Sequence, residues 1–445
     1  MTTQFQIILP DCSSKFIALS ISDGAYSLPS FCQAEELRYN TVTGINRRLL
    51  EEWNLSATVS RCVFEGDVQT PAIFAMHNHD RAWRPEPFST LWVSFDDIAK
   101  INFANAEQHT RIIEWINSLS DPAWRHVPWS SPNWAAKAIG WMKESAEASG
   151  AKNISEPTQV RAWAISSVWM VDTSSGKLWF KAVPDFFGHA PVLEKYLSEH
   201  FPQNLIDIVA IETTEHWMLS KEWAGENPKS IEQWQRIFKV VTDIQLHCKD
   251  SIDELLSFGC RDRRLANLPE LMNPVFDDLK DETIFDIYGV DQLEAEELSR
   301  RLEQLPRLCE ELASFDLPET LIHGDLWGNN IIVSDRISGK SPLIFDWTDA
   351  SITHPFIDIY LLLTSEPDFS KRPLIREAFI DSWSEHYPKS AVEAALKAAE
   401  QVAPFYFMCA FRVVQVNAPV QSRWELAFLF KRFVRYALNI SVSAK

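Results

Sequence analysis

The sequence lacks several patterns that large classes of proteins need. It contains neither a glycine-rich phosphate loop of the G-x-G-x-x-G type nor a Walker lysine motif, which excludes the P-loop folds that bind phosphate in such a turn. Its seven cysteines are scattered, odd in number and never spaced as C-x-x-C. We therefore expect reduced thiols and a cytoplasmic protein.

Long apolar runs and basic charge are also scarce. No run reaches transmembrane length, and the start of the chain lacks the basic flank of a signal peptide, so neither a membrane protein nor a secreted one is expected. The 42 Lys and Arg residues are outnumbered by 61 Asp and Glu residues. This balance argues against general nucleic-acid binding, which depends on cationic side chains that neutralise phosphates.

Two short segments carry the strongest chemical signal. Residues 321–330 read LIHGDLWGNN, and residues 344–347 read IFDW. The apolar runs beside them predict a strand, a loop and then a hairpin, so that Asp325, Asn330 and Asp346 lie on loop edges. Asp325 can accept a hydroxyl proton, and Asn330 and Asp346 offer the hard oxygens that Mg²⁺ prefers. Phosphoryl transfer from a nucleotide needs this set, although ordinary turn and cap roles are the alternative.

These motifs resemble the aminoglycoside phosphotransferase and choline kinase group, which are small-molecule kinases with a protein-kinase-like fold. The shared pattern is His-Gly-Asp, an Asn five residues after the Asp, and Asp-Trp after a hairpin. The resemblance implies that Asp325 is the catalytic base, that Asn330 and Asp346 bind Mg²⁺, and that His323 supports the catalytic loop. It also implies that Asp358 hydrogen-bonds the backbone of that loop, a simple helix cap being the alternative.

The same resemblance assigns an amino-terminal lobe. Lys181 lies in a predicted strand and resembles the phosphate-binding lysine of the family. Glu194, on a helix opened by Ala-Pro, is its implied partner. Residues 160–171 predict a strand in which Ser166 and Ser167 fall where the family has a short nucleotide-facing turn. A solvated lysine and a surface glutamate are the ordinary alternatives.

Residues 1–120 predict a separate small α+β domain, followed by a linker at 121–132 that is rich in proline and tryptophan. Within this domain, residues 47–55 (RRLLEEWNL) weakly resemble the end of the Nudix signature helix. Arg48 stands where that family has Glu, and Asn54 stands where it has Gly. The resemblance implies a degenerate Nudix-like fold, and the departures argue against hydrolase activity.

Two further groups in this domain could suggest metal binding. Glu51 and Glu52 could hold a metal, but adjacent glutamates on a helix usually form a solvated face. Residues 77–80 (HNHD) lack a second ligand pair in the sequence, and we interpret them as a polar loop.

We therefore predict an α+β protein with a bilobal protein-kinase-like fold and an additional amino-terminal domain. The β-rich lobe would span residues 133–222 with a leading helix, and the helical lobe residues 223–445. The predicted activity is Mg²⁺-dependent transfer of the γ-phosphoryl group of ATP or GTP to the hydroxyl of a small molecule, without nucleic-acid or membrane partners. A pseudokinase that binds nucleotide or a partner, and Nudix-type hydrolysis in the first domain, are the alternatives. The acceptor and the oligomeric state cannot be read from the sequence.

Overall fold

The computed structural model describes residues 3–33, 37–66, 70–85, 89–120, 127–131, 133–334 and 342–439. Backbone contacts group the chain into two units, Met1–Asp185 with Asn417–Glu425, and Phe186–Val416 with Leu426–Lys445. The predicted boundaries at 120 and 132 lie inside the first unit and stay predictions. Residues 121–126 and 132 of the predicted linker lie outside the described residues. Within the described ranges, no helix is long and apolar enough to cross a membrane.

The first unit combines strands with three α-helices in its described residues. The strands are β1 Thr3–Ile8, β2 Phe16–Ser22, β3 Ala25–Ser27, β4 Ser30–Gln33, β5 Ala57–Phe64, β6 Ala72–Asn78, β7 Thr90–Ser94, β8 Thr158–Trp163, β9 Ser166–Thr173 and β10 Gly176–Ala182, and the helices are α1 Thr43–Trp53, α2 Ala106–Ser118 and α3 Trp134–Ala148. One sheet has the order β4-β1-β6-β5, with β1 and β6 parallel, and a second has the order β3-β2-β7. Strands β8, β9 and β10 pair antiparallel in succession.

The sheet that contains β1 is buried on both faces. Successive side chains of a strand point to opposite faces, and Phe5 and Ile8 accordingly belong to two different apolar clusters. The cluster around Phe5 includes Leu49 of α1, and the cluster around Ile8 includes Trp115 of α2. Two amphipathic helices therefore cover the sheet from its two sides, as the predicted α+β class requires.

The amino-terminal region is bonded directly to β8. The N–H of Val42 donates to the carbonyl of Val160 at 3.0 Å, and the N–H of Ala162 donates to the carbonyl of Asn40 at 3.2 Å. The buried side chain of Gln159 adds a pair of bonds to the backbone of Val59, at 3.0 and 2.9 Å. Backbone pairing thus covers a strand edge that would otherwise present unpaired polar groups.

The second unit is mainly helical. Its elements are α4 Ala190–His200, β11 Ile208–Glu212, β12 Trp217–Lys221, α5 Ile231–Cys248, α6 Ile252–Ser257, β13 Arg261–Asp262, α7 Leu268–Leu271, α8 Asn273–Asp278, α9 Phe285–Tyr288, α10 Gln292–Leu302, α11 Leu305–Ala313, β14 Thr320–Ile322, β15 Ile331–Ile332, β16 Leu343–Ile344, β17 Ser351–Thr353, α12 Asp358–Ser365, α13 Arg372–Ser384, α14 Lys389–Asn417 and α15 Trp424–Ala437. The last residue of α14 and the first two residues of α15 belong to the first unit. A large apolar core, to which α5, α13 and α14 contribute, fills this unit.

Two small sheets frame the predicted catalytic segment. Strand β17 pairs parallel with β13 and antiparallel with β14, and β15 pairs antiparallel with β16. The hairpin predicted after Asn330 is therefore present, although residues 335–341 at its tip lie outside the described residues. The spacing of Ser230 and Gln233 in the sequence is typical of a capping box, and this capping box is present at the start of α5.

Two predicted elements are wrong. Residues 77–80 were interpreted as a polar loop, but His77 and Asn78 lie in β6. Residues 160–171 were expected to form one strand, but they belong to a hairpin in which Trp163 of β8 pairs with Ser166 of β9. The turn residues are Ala164 and Ile165. Neither is a glycine, proline, asparagine or aspartate, so the sequence carried no turn signal at this point.

Replacement of Gln159 by alanine should destabilise the protein by about 2–4 kcal/mol, because the N–H and C=O of Val59 would both lose their buried partner. Urea unfolding monitored by tryptophan fluorescence measures this change. Gln292→Ala removes an exposed glutamine whose side-chain bond, among the described residues, stays within its own helix. The free energy of unfolding of this variant should lie within about 0.5 kcal/mol of that of the parent. Equal midpoints for the two variants would contradict the proposed anchoring of β8.

Candidate active site

A left-handed glycine turns the chain from β14 into the segment that carries Asp325. Gly324 has φ +78°, and a Cβ added there would lie 2.3 Å from the carbonyl oxygen of Asp349. A side chain is excluded both by the backbone conformation and by this close approach. The glycine of the His-Gly-Asp motif therefore has a steric function, and it sets the direction in which Asp325 leaves the strand.

A buried carboxylate holds the same turn. Asp358, which is 1% exposed, accepts from the N–H of His323 at 3.0 Å and from the N–H of Gly324 at 2.9 Å. Gln245 of α5 donates a longer bond of 3.4 Å to the same carboxylate. Two consecutive backbone donors are thus paired in the interior, where an unpaired N–H is costly. This is the contact expected of Asp358, whose role in catalysis stays a prediction.

The imidazole of His323 connects the catalytic segment with the end of β16. Its Nε2 lies 3.0 Å from the carbonyl oxygen of Phe345, and its Nδ1 accepts from the N–H of Asp325 at 3.2 Å. Since a carbonyl can only accept, Nε2 carries the proton. The ring also packs against Trp347, with centroids 4.7 Å apart. These contacts give His323 a supporting position rather than an exposed one.

Asp325 and Asn330 are joined by hydrogen bonds. The Nδ2 group of Asn330 donates to the carbonyl oxygen of Asp325 at 2.9 Å and to its carboxylate Oδ2 at 2.8 Å. The N–H of Phe345 in turn donates to the carbonyl of Asn330 at 3.1 Å. The side-chain amide nitrogen of Asn330 therefore faces Asp325. Its side-chain oxygen is the atom suited to bind a hard cation.

Asp346 lies at the other side of the hairpin in a left-handed conformation, with φ +66°. Its Oδ1 accepts from the hydroxyl of Thr348 at 2.6 Å. The next N–H, that of Trp347, donates to Oε1 of Glu194 at 3.2 Å. Glu194 was predicted as the partner of a lysine. The structure also places its buried carboxylate on the backbone beside Asp346.

The remaining predicted nucleotide ligands lie in the first unit. Lys181 is partly exposed on β10, opposite Val168 of β9. The Ser166 hydroxyl accepts from the indole N–H of Trp163 at 2.6 Å, and the Ser167 hydroxyl accepts from that of Trp169 at 2.9 Å. Both serines are buried. Their hydroxyls hold tryptophans in place, and their roles at a nucleotide stay predictions.

The groups considered for metal binding in the amino-terminal region have other partners. Arg48 pairs with Glu51 at 3.4 Å and with Glu52 at 2.6 Å on the surface of α1. His77 contacts the carbonyl of Trp129 at 3.2 Å, and His79 contacts the Thr58 hydroxyl at 2.8 Å. Among the described residues, no three His, Cys, Asp or Glu side chains are grouped to hold a metal. The Nudix resemblance stays a prediction.

Sequence reasoning missed two residues that hold the site in position. Gln245 lies on the buried face of α5 and carries no local signal, because its partner Asp358 is far along the chain. Thr348 follows Asp346 by two residues, and this spacing allows a hydroxyl to bond a neighbouring carboxylate. A close reading of the Asp-Trp-Thr sequence could have found Thr348.

One protein-family model matches the part of the chain that contains these residues. The model of the phosphotransferase enzyme family (APH) matches residues 261–392, which include Asp325, Asn330, Asp346 and Asp358. The predicted resemblance is confirmed for this segment, as is the assignment as a phosphotransferase enzyme. The α+β class is confirmed by the strands and helices of the two units. The sequence matches no curated protein significantly.

Several solved structures are also similar to this chain. The spectinomycin phosphotransferase APH(9)-Ia with ADP and spectinomycin has 13% identity and a TM-score of 0.43, covering 68% of this chain and 97% of its own. The GDP and kanamycin complex of APH(2")-IIia has 11% identity and a TM-score of 0.46, covering 69% and 98%. Choline kinase from Cryptosporidium parvum Iowa II has 13% identity and a TM-score of 0.44, covering 74% and 96%.

The buried position of Asp358 has a consequence for stability. Burial raises the pKa of this carboxyl from 3.8 to about 6, although the His323 and Gly324 N–H groups lower it. The raised pKa stabilises the fold fully below pH 3.8, and this contribution is lost as the pH rises through about 6. A pKa raised from 3.8 to about 6 corresponds to a contribution of roughly 3 kcal/mol to the free energy of unfolding.

The free energy of unfolding of the parent, measured relative to Asp358→Asn, should therefore fall between pH 4.5 and pH 7.5. Urea unfolding of both proteins at three pH values in this range provides the difference, and Asp286→Asn, at an exposed position, controls for the loss of one carboxylate. A difference that grows with pH would show that the pKa of Asp358 is lowered in the folded protein.

Proposed function

We propose that this protein transfers the γ-phosphoryl group of ATP or GTP to a hydroxyl group of a small molecule, with Mg²⁺ as cofactor. The observation that carries the proposal is a set of hydrogen bonds around Asn330. Its side-chain amide donates to the carboxylate of Asp325, and its backbone carbonyl accepts from the N–H of Phe345, the residue before Asp346. This arrangement supports a proposed base bonded to one proposed metal ligand, with the second proposed ligand next to a bonded residue, as phosphoryl transfer requires.

Asp325 is the proposed base. Its carboxylate accepts the proton of the acceptor hydroxyl while the acceptor oxygen forms a bond to the γ-phosphorus. The bond from that phosphorus to the β–γ bridging oxygen breaks, and the nucleoside diphosphate leaves with the electron pair. The bond from Asn330 to Oδ2 fixes the orientation of the carboxylate. His323 accepts from the N–H of Asp325, and Asp358 accepts from the N–H of His323, so both residues hold the backbone at Asp325 in position.

Asn330 and Asp346 are the proposed metal ligands. An amide oxygen and a carboxylate suit Mg²⁺, which usually takes one or two carboxylates and completes its shell with phosphates and water. Two protein ligands are therefore sufficient, and the donor set fits the ion. Bound there, Mg²⁺ would neutralise negative charge on the phosphates. On the grounds of the sequence, Lys181 is proposed to bind phosphate, and Glu194 is proposed to orient Lys181.

The acceptor class is left to experiment. An antibiotic, a sugar, an amino acid and a choline-like alcohol each present a hydroxyl that Asp325 could deprotonate. The net charge of −19 is compatible with a cationic acceptor. We also propose a cytoplasmic location, where nucleoside triphosphates and reduced thiols are both found.

Thermal unfolding with Mg²⁺ alone, Mg-ATP and Mg-GTP tests nucleotide binding. At one hundred times the dissociation constant, a nucleotide should stabilise the parent by about 2.7 kcal/mol. Asp346→Ala should lose most of this shift, because it removes a carboxylate ligand of the metal. No shift with either nucleotide in the parent would contradict the proposal and favour a partner-binding pseudokinase.

Asp325→Asn separates binding from chemistry. The amide keeps the size of the side chain but cannot take a proton, so the variant should show the same nucleotide shift as the parent. Once screening of hydroxyl compounds has identified an acceptor, its phosphorylation should be slower by about 10²–10⁴-fold. Unchanged turnover would contradict the role of Asp325.

A further inference from the structure

The second unit contains a cavity whose walls come from residues outside the candidate active site. Its volume is about 460 Å³, which lies within the range of pockets that bind small molecules. Helices α12, α13 and α14 and the segment between α12 and α13 surround it. Tyr360, Leu363, Phe369 and Pro373 form its apolar wall, and a few charged side chains complete it. Sites for organic molecules generally combine an apolar lining with a small number of polar groups.

Arg372, at the start of α13, presents one edge of its guanidinium group to the backbone. Its Nε and Nη2 donate to the carbonyl of Glu366 at 3.0 and 2.7 Å, and Nη2 also lies 3.4 Å from the carbonyl of Thr364. Among the described residues, its Nη1 has no hydrogen-bond partner. The guanidinium carbon lies 4.1 Å from the centroid of the Phe369 ring. The direction of the positive group is therefore fixed, and donors remain on its other edge.

Capping of α12 explains only part of this arrangement. Arginine side chains often bond the last carbonyls of a helix, where the helix dipole is negative. Arg432 does so as well, since its Nη2 donates to the carbonyl of Thr364 at 2.8 Å. Capping accounts for the inner edge of Arg372. It does not account for the open Nη1, nor for the Phe369 ring, which is 69% exposed beneath the guanidinium.

The charges on the cavity wall favour an anion. Arg376 donates through Nη1 to the carboxylate of Glu400, and both side chains line the cavity. That pair leaves Arg372 without a compensating carboxylate among the lining residues. The whole chain has a net charge of −19. Attraction of an anion to this place would therefore be a local property of the cavity, acting over a short distance in salt.

We propose that this cavity binds a small organic anion in which one carboxylate or phosphate group is attached to an aromatic body. Arginine binds both groups through paired N–H donors, so the anionic oxygens would accept from Arg372 and Arg376. The aromatic body would lie against Phe369 and Tyr360. The ligand would also contact α12, the helix whose first residue is Asp358. Binding needs neither nucleotide nor metal, so the inference does not rest on the proposed function.

Ligand-detected NMR titration of the full chain, without nucleotide or Mg²⁺, tests the inference. Benzoate should bind with millimolar affinity, because a molecule of so few atoms makes few contacts. Benzyl alcohol has the ring without the charge, and it should bind about tenfold more weakly. Inorganic phosphate has the charge without the ring, and it should displace benzoate only at concentrations about tenfold higher than benzoate itself requires. Phenyl phosphate that binds more tightly than benzoate would assign phosphate as the anionic group, and the reverse order would assign a carboxylate.

Three variants locate the binding. Arg372→Met should weaken benzoate binding about tenfold, whereas Arg307→Met, which removes an exposed arginine from α11, should leave it within about twofold. Glu400→Gln removes the negative charge that competes for Arg376. It should tighten benzoate binding about threefold, a gain that damage to the fold does not produce.

Equal benzoate binding by the parent and by Arg372→Met would overturn the inference and leave the proposed function intact. Benzyl alcohol that binds as tightly as benzoate would also overturn it, because the cavity would then select apolar molecules without regard to charge. A parent chain that binds neither benzoate nor phenyl phosphate would do the same. If Arg372→Met does not fold, Glu400→Gln decides the matter, since unchanged or weaker benzoate binding in that variant contradicts the proposed site.

Discussion

The candidate site depends on one buried interaction, the acceptance of two consecutive backbone N–H groups by the carboxylate of Asp358. These donors belong to His323 and Gly324, the residues immediately before Asp325. With them fixed, the imidazole of His323 bonds the carbonyl of Phe345, so the residue that follows β14 is held to the residue that follows β16. Donors and acceptors set by the fold need no rearrangement when charge develops in a transition state. The site is accordingly organised by backbone contacts in the core.

Conformational restrictions at single residues complete this organisation. Gly324 and Asp346 both adopt left-handed backbone conformations, which turn the chain sharply at each side of the hairpin. At Gly324 the absence of a side chain also permits the close approach of Asp349. At Asp346 the conformation is less favourable for a residue with a Cβ, and bonds from Thr348 to its carboxylate and from Trp347 to Glu194 accompany it. Backbone strain of this kind is common at functional sites, and Asp346 is itself a proposed metal ligand.

The sequence predicted local structure correctly where the interacting residues lie close together along the chain. The apolar runs beside Asp325, Asn330 and Asp346 predicted a hairpin, and the structure has strands β15 and β16 at that place. The Ser-x-x-Gln pattern predicted the start of α5 for a similar reason, since both partners of the cap lie within one turn. In contrast, Gln245 and Glu425 bond residues more than one hundred positions away. A single sequence contains no periodicity or motif that joins such pairs. The turn at Ala164 was missed because its residues have no turn propensity.

Asn330 and Asp346 are proposed to form a metal site that requires a nucleotide. Mn²⁺ takes the same hard oxygen ligands as Mg²⁺, and electron paramagnetic resonance measures how much of it is free. ATP should cause the parent to bind Mn²⁺, and Asn330→Ala and Asp346→Ala should weaken this binding. Asn329→Ala should not weaken it, because the exposed Asn329 bonds only Asn227 among the described residues. Equal Mn²⁺ binding by the parent and by Asp346→Ala in the presence of ATP would contradict the proposed metal site.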